Sequence, residues 1–264
     1  MIRRDEGGRG APAASEPTSP GTTGASPAPA AAESAGAILV PVPGMAPQAA
    51  VTETAASPLR RWRWYQRLHA WTLARGSARY QAAVDGRLRE LFGGLRGDVL
   101  EIGPGSGRNL AYFDRSVRWF GVEPNPFARE YLRREAARLG LTAEVLDGTA
   151  ECLPVADRSM DAVAASLVLC TVRDVDAVLA EVRRVLRPGG RFVFIEHVAA
   201  PEGTLQRRLQ RLCRRPHALL ADGCQLDRET WAAIERAGFS SVEIAHFRLP
   251  IPLVGPHIAG AAVK

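Results

Sequence analysis

The chain has 264 residues, of which 46% are hydrophobic, 23% charged and 6% aromatic, a globular composition that excludes a collagen-like, coiled-coil or wholly disordered protein. The formal net charge is +6, and Lys264 is the single lysine among 34 basic residues. No nucleic-acid-binding motif accompanies the arginines, so we expect a solvated basic surface and no nucleic-acid partner.

Residues 1–57 are rich in Ala, Pro, Gly, Ser and Thr. Such a segment buries too little apolar surface to offset its ordering entropy, which predicts a disordered tail. The domain is expected at 58–264. Because no apolar run reaches 18 residues, we expect no transmembrane helix. The N-terminus has no apolar signal-peptide core and no CxxC pair occurs among the four cysteines, which predicts a cytoplasmic protein with reduced thiols and no metal.

The predicted domain opens on a segment of arginines and aromatics, residues 60–71. Trp64, Leu68 and Trp71 share one helical face by their i, i+4, i+7 spacing. The pattern fits a helix that packs on the fold as a lid over a pocket. It also fits an interfacial helix in peripheral contact with a membrane. Both interpretations stay open.

Apolar runs then alternate with helical patterns along the rest of the chain. This alternation predicts an α/β fold, a parallel sheet with helices on both faces that binds ligands at the carboxyl ends of its strands. The phrase Arg187-Pro188-Gly189-Gly190 is expected to end a helix and turn into the next strand. The predicted strands are 98–103, 117–123, 143–147, 161–169, 191–197, 241–247 and 258–263, and the predicted helices are 109–112, 127–139, 175–186 and 204–237, the last broken near Asp222.

A glycine-rich turn directly after the first strand is the most informative motif. Gly103, Gly105 and Gly107 follow Glu101, and glycine allows both a tight turn and close approach of a ligand to the backbone. The dinucleotide fingerprint GxGxxG would need a third glycine where this chain has Arg108. Because a carboxylate beside the loop repels a pyrophosphate, Glu101 favours a neutral or cationic ligand.

A second acid, Glu123, ends the next strand about 20 residues later, where a carboxylate can accept both ribose hydroxyls. With the phrase around Thr149 and Ala150, the Met160-Asp161 strand start and the Pro188-Gly189 turn, the chain resembles class I S-adenosylmethionine-dependent methyltransferases over residues 98–198. The resemblance implies a Rossmann-like seven-stranded sheet whose last strand is antiparallel. It also implies roles for seven residues: methionine-moiety contacts from Glu101, Gly103, Gly105 and Gly107, a ribose contact from Glu123, and adenine contacts from Thr149 and Ala150.

Phrases in the C-terminal half resemble the animal microsomal thiol S-methyltransferases and their bacterial relatives. They include Leu167-Val168-Leu169-Cys170, Glu196-His197-Val198, Asp222-Gly223-Cys224 and Gly255-Pro256-His257. The resemblance extends to the last residue and implies a small thiol as methyl acceptor. A polar, proline-rich segment stands where those animal proteins carry an apolar anchor.

Topology places three candidate catalytic residues, His197, Asp222 and His257, at the carboxyl edge of the sheet. Each also fits a structural role, and Cys170 and Cys224 fit inert buried thiols. Methyl transfer to a thiol needs alignment and a modest base, since the thiolate is the nucleophile. The expected function is therefore methyl transfer from S-adenosylmethionine to a small thiol. The alternatives are an oxygen, nitrogen or carbon acceptor, or a non-catalytic donor-binding protein. The motif disfavours a nucleotide-dependent oxidoreductase.

Overall fold

A seven-stranded sheet forms the centre of this computed structural model, which describes residues 58–264. The tail predicted at 1–57 lies outside the described residues. The strands are β1 (Asp98–Ile102), β2 (Arg118–Val122), β3 (Ala143–Leu146), β4 (Met160–Ser166), β5 (Leu186–His197), β6 (Ser241–Arg248) and β7 (Pro256–Val263). Their order is β3-β2-β1-β4-β5-β7-β6. Strand β7 runs antiparallel to β5 and β6, whereas the other pairs are parallel, as predicted.

Helices cover both faces of the sheet and enclose two apolar cores. One core includes Val178 and Ile234, and the other includes Val84 and Leu132. No helix of the described chain is long and apolar enough to cross a bilayer. The helices are α1 (Arg63–Arg75), α2 (Ala78–Gly93), α3 (Pro126–Leu139), α4 (Val175–Val185), α5 (Leu205–Leu220) and α6 (Thr230–Arg236).

Helix α2 was not among the predicted helices. Its buried residues Val84, Leu88 and Phe92 recur every four positions. The Ser77 side chain caps its first turn by accepting a hydrogen bond from the Tyr80 N–H. The apolar spacing and the Ser77 cap can both be read from the sequence. In the structure, α2 packs against β5 and β7.

Strand β5 begins five residues earlier than predicted. The Arg187-Pro188-Gly189-Gly190 phrase lies inside it as a bulge, since Met160 pairs with Leu186 and Ala162 with Arg191. Gly189 has φ +76°, which lets the extra residues loop out without a side-chain clash. The predicted 109–112 helix is a 3₁₀ turn at Leu110–Tyr112.

The face of α1 that carries Trp64, Leu68 and Trp71 does not pack on the sheet. These side chains are 59%, 50% and 43% exposed. The helix packs instead through Tyr65 and Ala70, which are buried.

Candidate active site

A cavity of about 470 Å³ opens at the carboxyl ends of β1, β2 and β4 and is covered by α1 and the start of α2. Open α/β sheets bind their ligands at this edge. The cavity lining contains five of the seven residues predicted to hold a donor: Gly103, Gly105, Glu123, Thr149 and Ala150.

The glycine turn presses closely against its surroundings. Gly103 has φ +60°, and a Cβ there would lie 2.7 Å from Val168 Cγ2. Gly107 does not line the cavity; a Cβ at this position would meet Leu132 Cδ1 of α3 at 2.8 Å. Gly103 therefore shapes the cavity wall, while Gly107 allows α3 to pack against the turn.

Glu123 is buried and its carboxylate faces both the turn and the cavity. Its Oε2 accepts a hydrogen bond from the Gly105 N–H at 3.0 Å, and its Oε1 accepts one from the Asn125 N–H at 2.8 Å. Burial raises the pKa of Glu123, and these two backbone donors partly offset that rise. A carboxylate offers about four acceptor positions, so Glu123 retains capacity for a ligand's hydroxyl groups.

Glu101 lies behind the glycine turn, fully buried and outside the cavity lining. Its Oε1 accepts a hydrogen bond from Asn109 Nδ2 at 2.7 Å. Its Oε2 and the nearby Trp119 Nε1 lack a well-formed hydrogen bond within the described residues. Burial raises the pKa of Glu101 to about 7, because a desolvated carboxylate is disfavoured. When ionised, Glu101 places a negative charge behind the turn, which suits a cationic ligand.

Asp222 lines the same cavity and belongs to a charged cluster with two residues of the N-terminal region. Its carboxylate accepts a hydrogen bond from Arg60 Nε at 2.7 Å, and its Oδ2 lies 3.7 Å from His69 Nδ1. Asp222 adopts φ +54°, and the Tyr65 hydroxyl accepts a hydrogen bond from its N–H at 3.0 Å. The cluster thus fixes an acid next to an imidazole at the cavity wall.

His69 also lines the cavity, and sequence reasoning did not select it. Burial lowers its pKa, and Arg60 lowers it further while Asp222 opposes the shift. The imidazole is therefore neutral near pH 7 and able to accept a proton. The signal was present in the sequence: His69, Thr72 and Leu73 form a helical face of their own, and all three line the cavity.

His197 and His257 lie close to this region but do not line the cavity. The His197 Nε2 atom lies 2.8 Å from Cys224 Sγ. His257 Nδ1 donates a hydrogen bond to the Gly255 carbonyl at 3.0 Å, and burial lowers the pKa of His257 to about 4. The two rings pack edge to face, 6.3 Å apart. Their predicted role in acceptor chemistry stays a prediction.

Comparison with known proteins gives a consistent result. A family model described as a methyltransferase domain matches residues 100–194. The chain is 37% identical to human thiol S-methyltransferase TMT1A over 217 residues, which cover 77% of this chain and 89% of the human protein. It is 39% identical to mouse thiol S-methyltransferase TMT1B over 202 residues, covering 71% of this chain and 82% of the mouse protein.

Solved structures support the fold. The [4+2]-cyclase SpnF superimposes with a TM-score of 0.63 at 16% identity, covering 80% of this chain and 97% of SpnF. A SAM-dependent methyltransferase from Thermotoga maritima gives a TM-score of 0.52 at 21% identity, covering 78% and 93% of the two chains. The Rossmann-like methyltransferase fold is thus confirmed.

Proposed function

The chain belongs to the thiol S-methyltransferase family, and from this premise we propose that it transfers a methyl group from S-adenosylmethionine to the sulfur of a small thiol. The cavity at the carboxyl edge of the sheet is the proposed site of both substrates. Its donor half is the glycine turn with Glu123, and its acceptor half is the cluster of His69 and Asp222.

The residues present fit the donor in charge and in shape. S-adenosylmethionine carries a sulfonium and an ammonium group, and two buried carboxylates lie at or behind the cavity wall. We propose that Gly103 and Gly105 admit the methionine moiety to the backbone, with Glu101 supplying negative charge from behind. Glu123 would accept hydrogen bonds from the ribose, and Thr149 and Ala150 would border the adenine. When bound, the donor supplies an electrophilic methyl carbon.

The acceptor half needs to position a sulfur and remove its proton. A cysteine-type thiol has a pKa of about 8.5, so a weak base suffices at neutral pH. Neutral His69 is suited to accept that proton, and Asp222 is suited to stabilise the resulting imidazolium. Arg60 holds the Asp222 carboxylate in place through its ion pair. Alignment of the thiolate against the methyl carbon then provides most of the rate, up to about 7–11 kcal/mol of the barrier.

The observation that carries this proposal is that His69 and Asp222 line one cavity with Glu123 and the glycine turn. The test is a methyl-transfer assay with labelled S-adenosylmethionine and two thiols, hydrogen sulfide and a hydrophobic aromatic thiol. We expect labelled methyl thioether or methanethiol, formed in proportion to enzyme.

Acceptors matched to the aromatic thiol distinguish thiol methylation from methylation of oxygen, nitrogen or carbon. The same aromatic ring bearing a hydroxyl or an amine in place of the thiol reports oxygen or nitrogen transfer, and an activated quinol reports carbon transfer. Donor binding measured by calorimetry accompanies each assay. Protein that binds donor but methylates none of the thiols would contradict the proposal, and protein that methylates nothing would be a donor-binding module.

A further inference from the structure

Behind the cavity wall, three metal-ligating side chains converge that the proposed chemistry does not use. Cys170 follows β4, His197 ends β5 and Cys224 follows α5. A ring nitrogen of His197 and the two Sγ atoms of Cys170 and Cys224 all lie within 4.8 Å of one another, and His197 Nε2 is 2.8 Å from Cys224 Sγ. All three residues are buried. Elements far apart in sequence thus bring two sulfurs and one imidazole nitrogen around a single point.

We propose that these three atoms form a binding site for a thiophilic divalent cation of the Zn²⁺ type. Thiolate sulfur and imidazole nitrogen are the usual zinc ligands, at about 2.3 Å and 2.0–2.1 Å in tetrahedral geometry. That geometry separates two ligand atoms by about 3.5 Å. The His197 ring would therefore move back from Cys224 by less than about 1 Å, well within a side-chain adjustment.

The chemistry of the cluster suits a divalent cation. The Cys170 and Cys224 sulfurs interact directly, and both residues are buried. Buried Glu196 and the partly buried Arg228 also interact with the Cys170 sulfur. A divalent cation would let both sulfurs bind as thiolates. As the metal–sulfur bonds form, the thiol protons pass to the buffer.

The three protein ligands leave a fourth position of a tetrahedral ion open. His217 on α5 also interacts with the Cys224 sulfur and is a candidate for this position, with a water molecule as the alternative. His257, whose ring packs against His197, uses Nδ1 to contact a backbone carbonyl and lies outside the group of converging ligand atoms.

A metal at this point would brace the acceptor wall of the cavity. The cavity lining includes Val168, two residues before Cys170, and Asp222, two residues before Cys224. The two cysteine loops already touch, since the Gln225 N–H donates to the Cys170 carbonyl at 2.8 Å. A cation bound by both sulfurs and by the end of β5 would cross-link these loops to the sheet.

The test uses the full chain, reduced, freed of metal with a chelator and titrated with Co²⁺ and with Zn²⁺. We expect one equivalent of Co²⁺ to produce thiolate charge-transfer bands and the intense visible bands of a tetrahedral ion, which Zn²⁺ then displaces. At a free Zn²⁺ concentration 100 times the Kd, the unfolding equilibrium should shift about 100-fold toward the folded state. These readouts do not depend on methyl transfer, so a failed metal site and a failed methyltransferase proposal are distinguishable.

Variants assign the ligands. Cys170→Ser, Cys224→Ser and His197→Gln should each weaken Co²⁺ binding at least tenfold or abolish its charge-transfer bands. Cys152→Ser, which alters an exposed cysteine outside the cluster, should leave the titration unchanged. Circular dichroism checks that each variant is folded. If a variant does not fold, the titration of the wild-type protein decides the proposal by itself.

Two results would overturn the proposal. The first is folded, reduced wild-type protein that takes up no Co²⁺ or Zn²⁺. The second is uptake that persists in Cys170→Ser and Cys224→Ser. Peptide mapping under mild oxidation is run in parallel: a Cys170–Cys224 disulfide in protein that binds no metal would identify the cluster as a redox pair instead.

Discussion

Arg60 and Asp222 form a two-point ion pair although 162 residues separate them in sequence. The guanidinium donates to both carboxylate oxygens, and this contact ties the segment before α1 to the loop after α5 at the rim of the cavity. Because the carboxylate is fixed beside His69 rather than free in solvent, its charge is directed at the imidazole. The proposed acceptor half of the site is therefore assembled from the segment before α1 and the loop after α5.

Asp222→Asn is expected to lower kcat for a thiol by about 10²-fold, since the variant can no longer stabilise a protonated His69. Donor affinity measured by calorimetry should stay within about twofold, because the donor half is unchanged. Asp157→Asn, which alters an exposed acid paired with Arg184, is the matched control and should behave as wild type. An equal loss of donor affinity and turnover in Asp222→Asn would place Asp222 in the donor half instead.

His69→Gln is expected to lower kcat/KM by a similar factor and to change its pH dependence. Burial lowers the pKa of His69, so in the wild type the imidazole is neutral above its ordinary value of 6.5 and activity should fall only when the pH drops below that value. The variant should lose this acid limb and retain the rise that reflects ionisation of the thiol. His246→Gln, at an exposed position on β6, serves as the control. An acid limb unchanged in His69→Gln would assign the base elsewhere.

The proposed donor half of the site could be predicted from sequence because its residues are local. Gly103, Gly105 and Glu123 follow directly from strands β1 and β2, and strand ends in a parallel sheet share one edge. In the proposed acceptor half, Asp222 was predicted, but its contacts with Arg60 and His69 were not, since these residues meet only through tertiary packing. His69 was not predicted, because the strongest helical pattern of α1 is that of Trp64, Leu68 and Trp71 on a different, exposed face.

Tertiary packing also explains the other features that the sequence did not predict. Cys170, His197 and Cys224 have no short spacing that marks a metal motif, and only the sheet order brings β4, β5 and the α5 loop together. The β5 bulge depends on pairing with β4 and is invisible to hydrophobic periodicity. Strand positions and order of elements, by contrast, followed the apolar runs.

Glu101 should make donor affinity depend on pH. Burial raises the pKa of Glu101 to about 7, so the free protein holds this acid protonated below that value. A cationic donor favours the ionised form, and its Kd should therefore tighten as the pH rises from 5 to 7.5, by up to about tenfold per pH unit. Calorimetry should show this slope in the wild type and a flatter one in Glu101→Gln.

The stability of the free protein should decrease as the pH rises, whereas donor affinity should increase. Between pH 4.5 and 7, folded Glu101 retains a proton that the unfolded chain releases, so the free energy of unfolding decreases as the pH rises, by up to about 1.4 kcal/mol per unit. Urea denaturation at pH 5 and 7.5 should show a smaller difference in Glu101→Gln than in the wild type. Equal differences would mean that Glu101 titrates normally in the folded state.

Gly103→Ala is expected to destabilise the fold and to weaken donor binding. At φ +60° a Cβ costs about 1–2 kcal/mol, and the contact of 2.7 Å with Val168 adds about 1–3 kcal/mol of overpacking. Gly189→Ala is the control, because Gly189 has φ +76° but open space around a Cβ, so only the backbone cost applies. Thermal denaturation should rank wild type, Gly189→Ala and Gly103→Ala in that order, and donor binding should fall only in Gly103→Ala.

The exposed tryptophans of α1 give the interfacial interpretation a direct test. Trp64 and Trp71 are 59% and 43% exposed, and Arg75 stacks over the Trp71 ring at 4.1 Å. Tryptophan inserts at the headgroup level and arginine is attracted to anionic lipid, so this face should bind anionic vesicles and release them at high salt. The Trp64→Ala/Trp71→Ala double variant should co-sediment at least threefold less than wild type.

Leu205→Ala is the control for apolar exposure as such, since Leu205 is 71% exposed but begins α5, about 24 Å from the helix end that contacts Tyr65. It should sediment as wild type, and vesicles of neutral lipid should retain little of any variant. Wild-type protein that stays in the supernatant with anionic vesicles would show that the face is solvated and that α1 serves the cavity alone, through His69, Thr72 and Leu73.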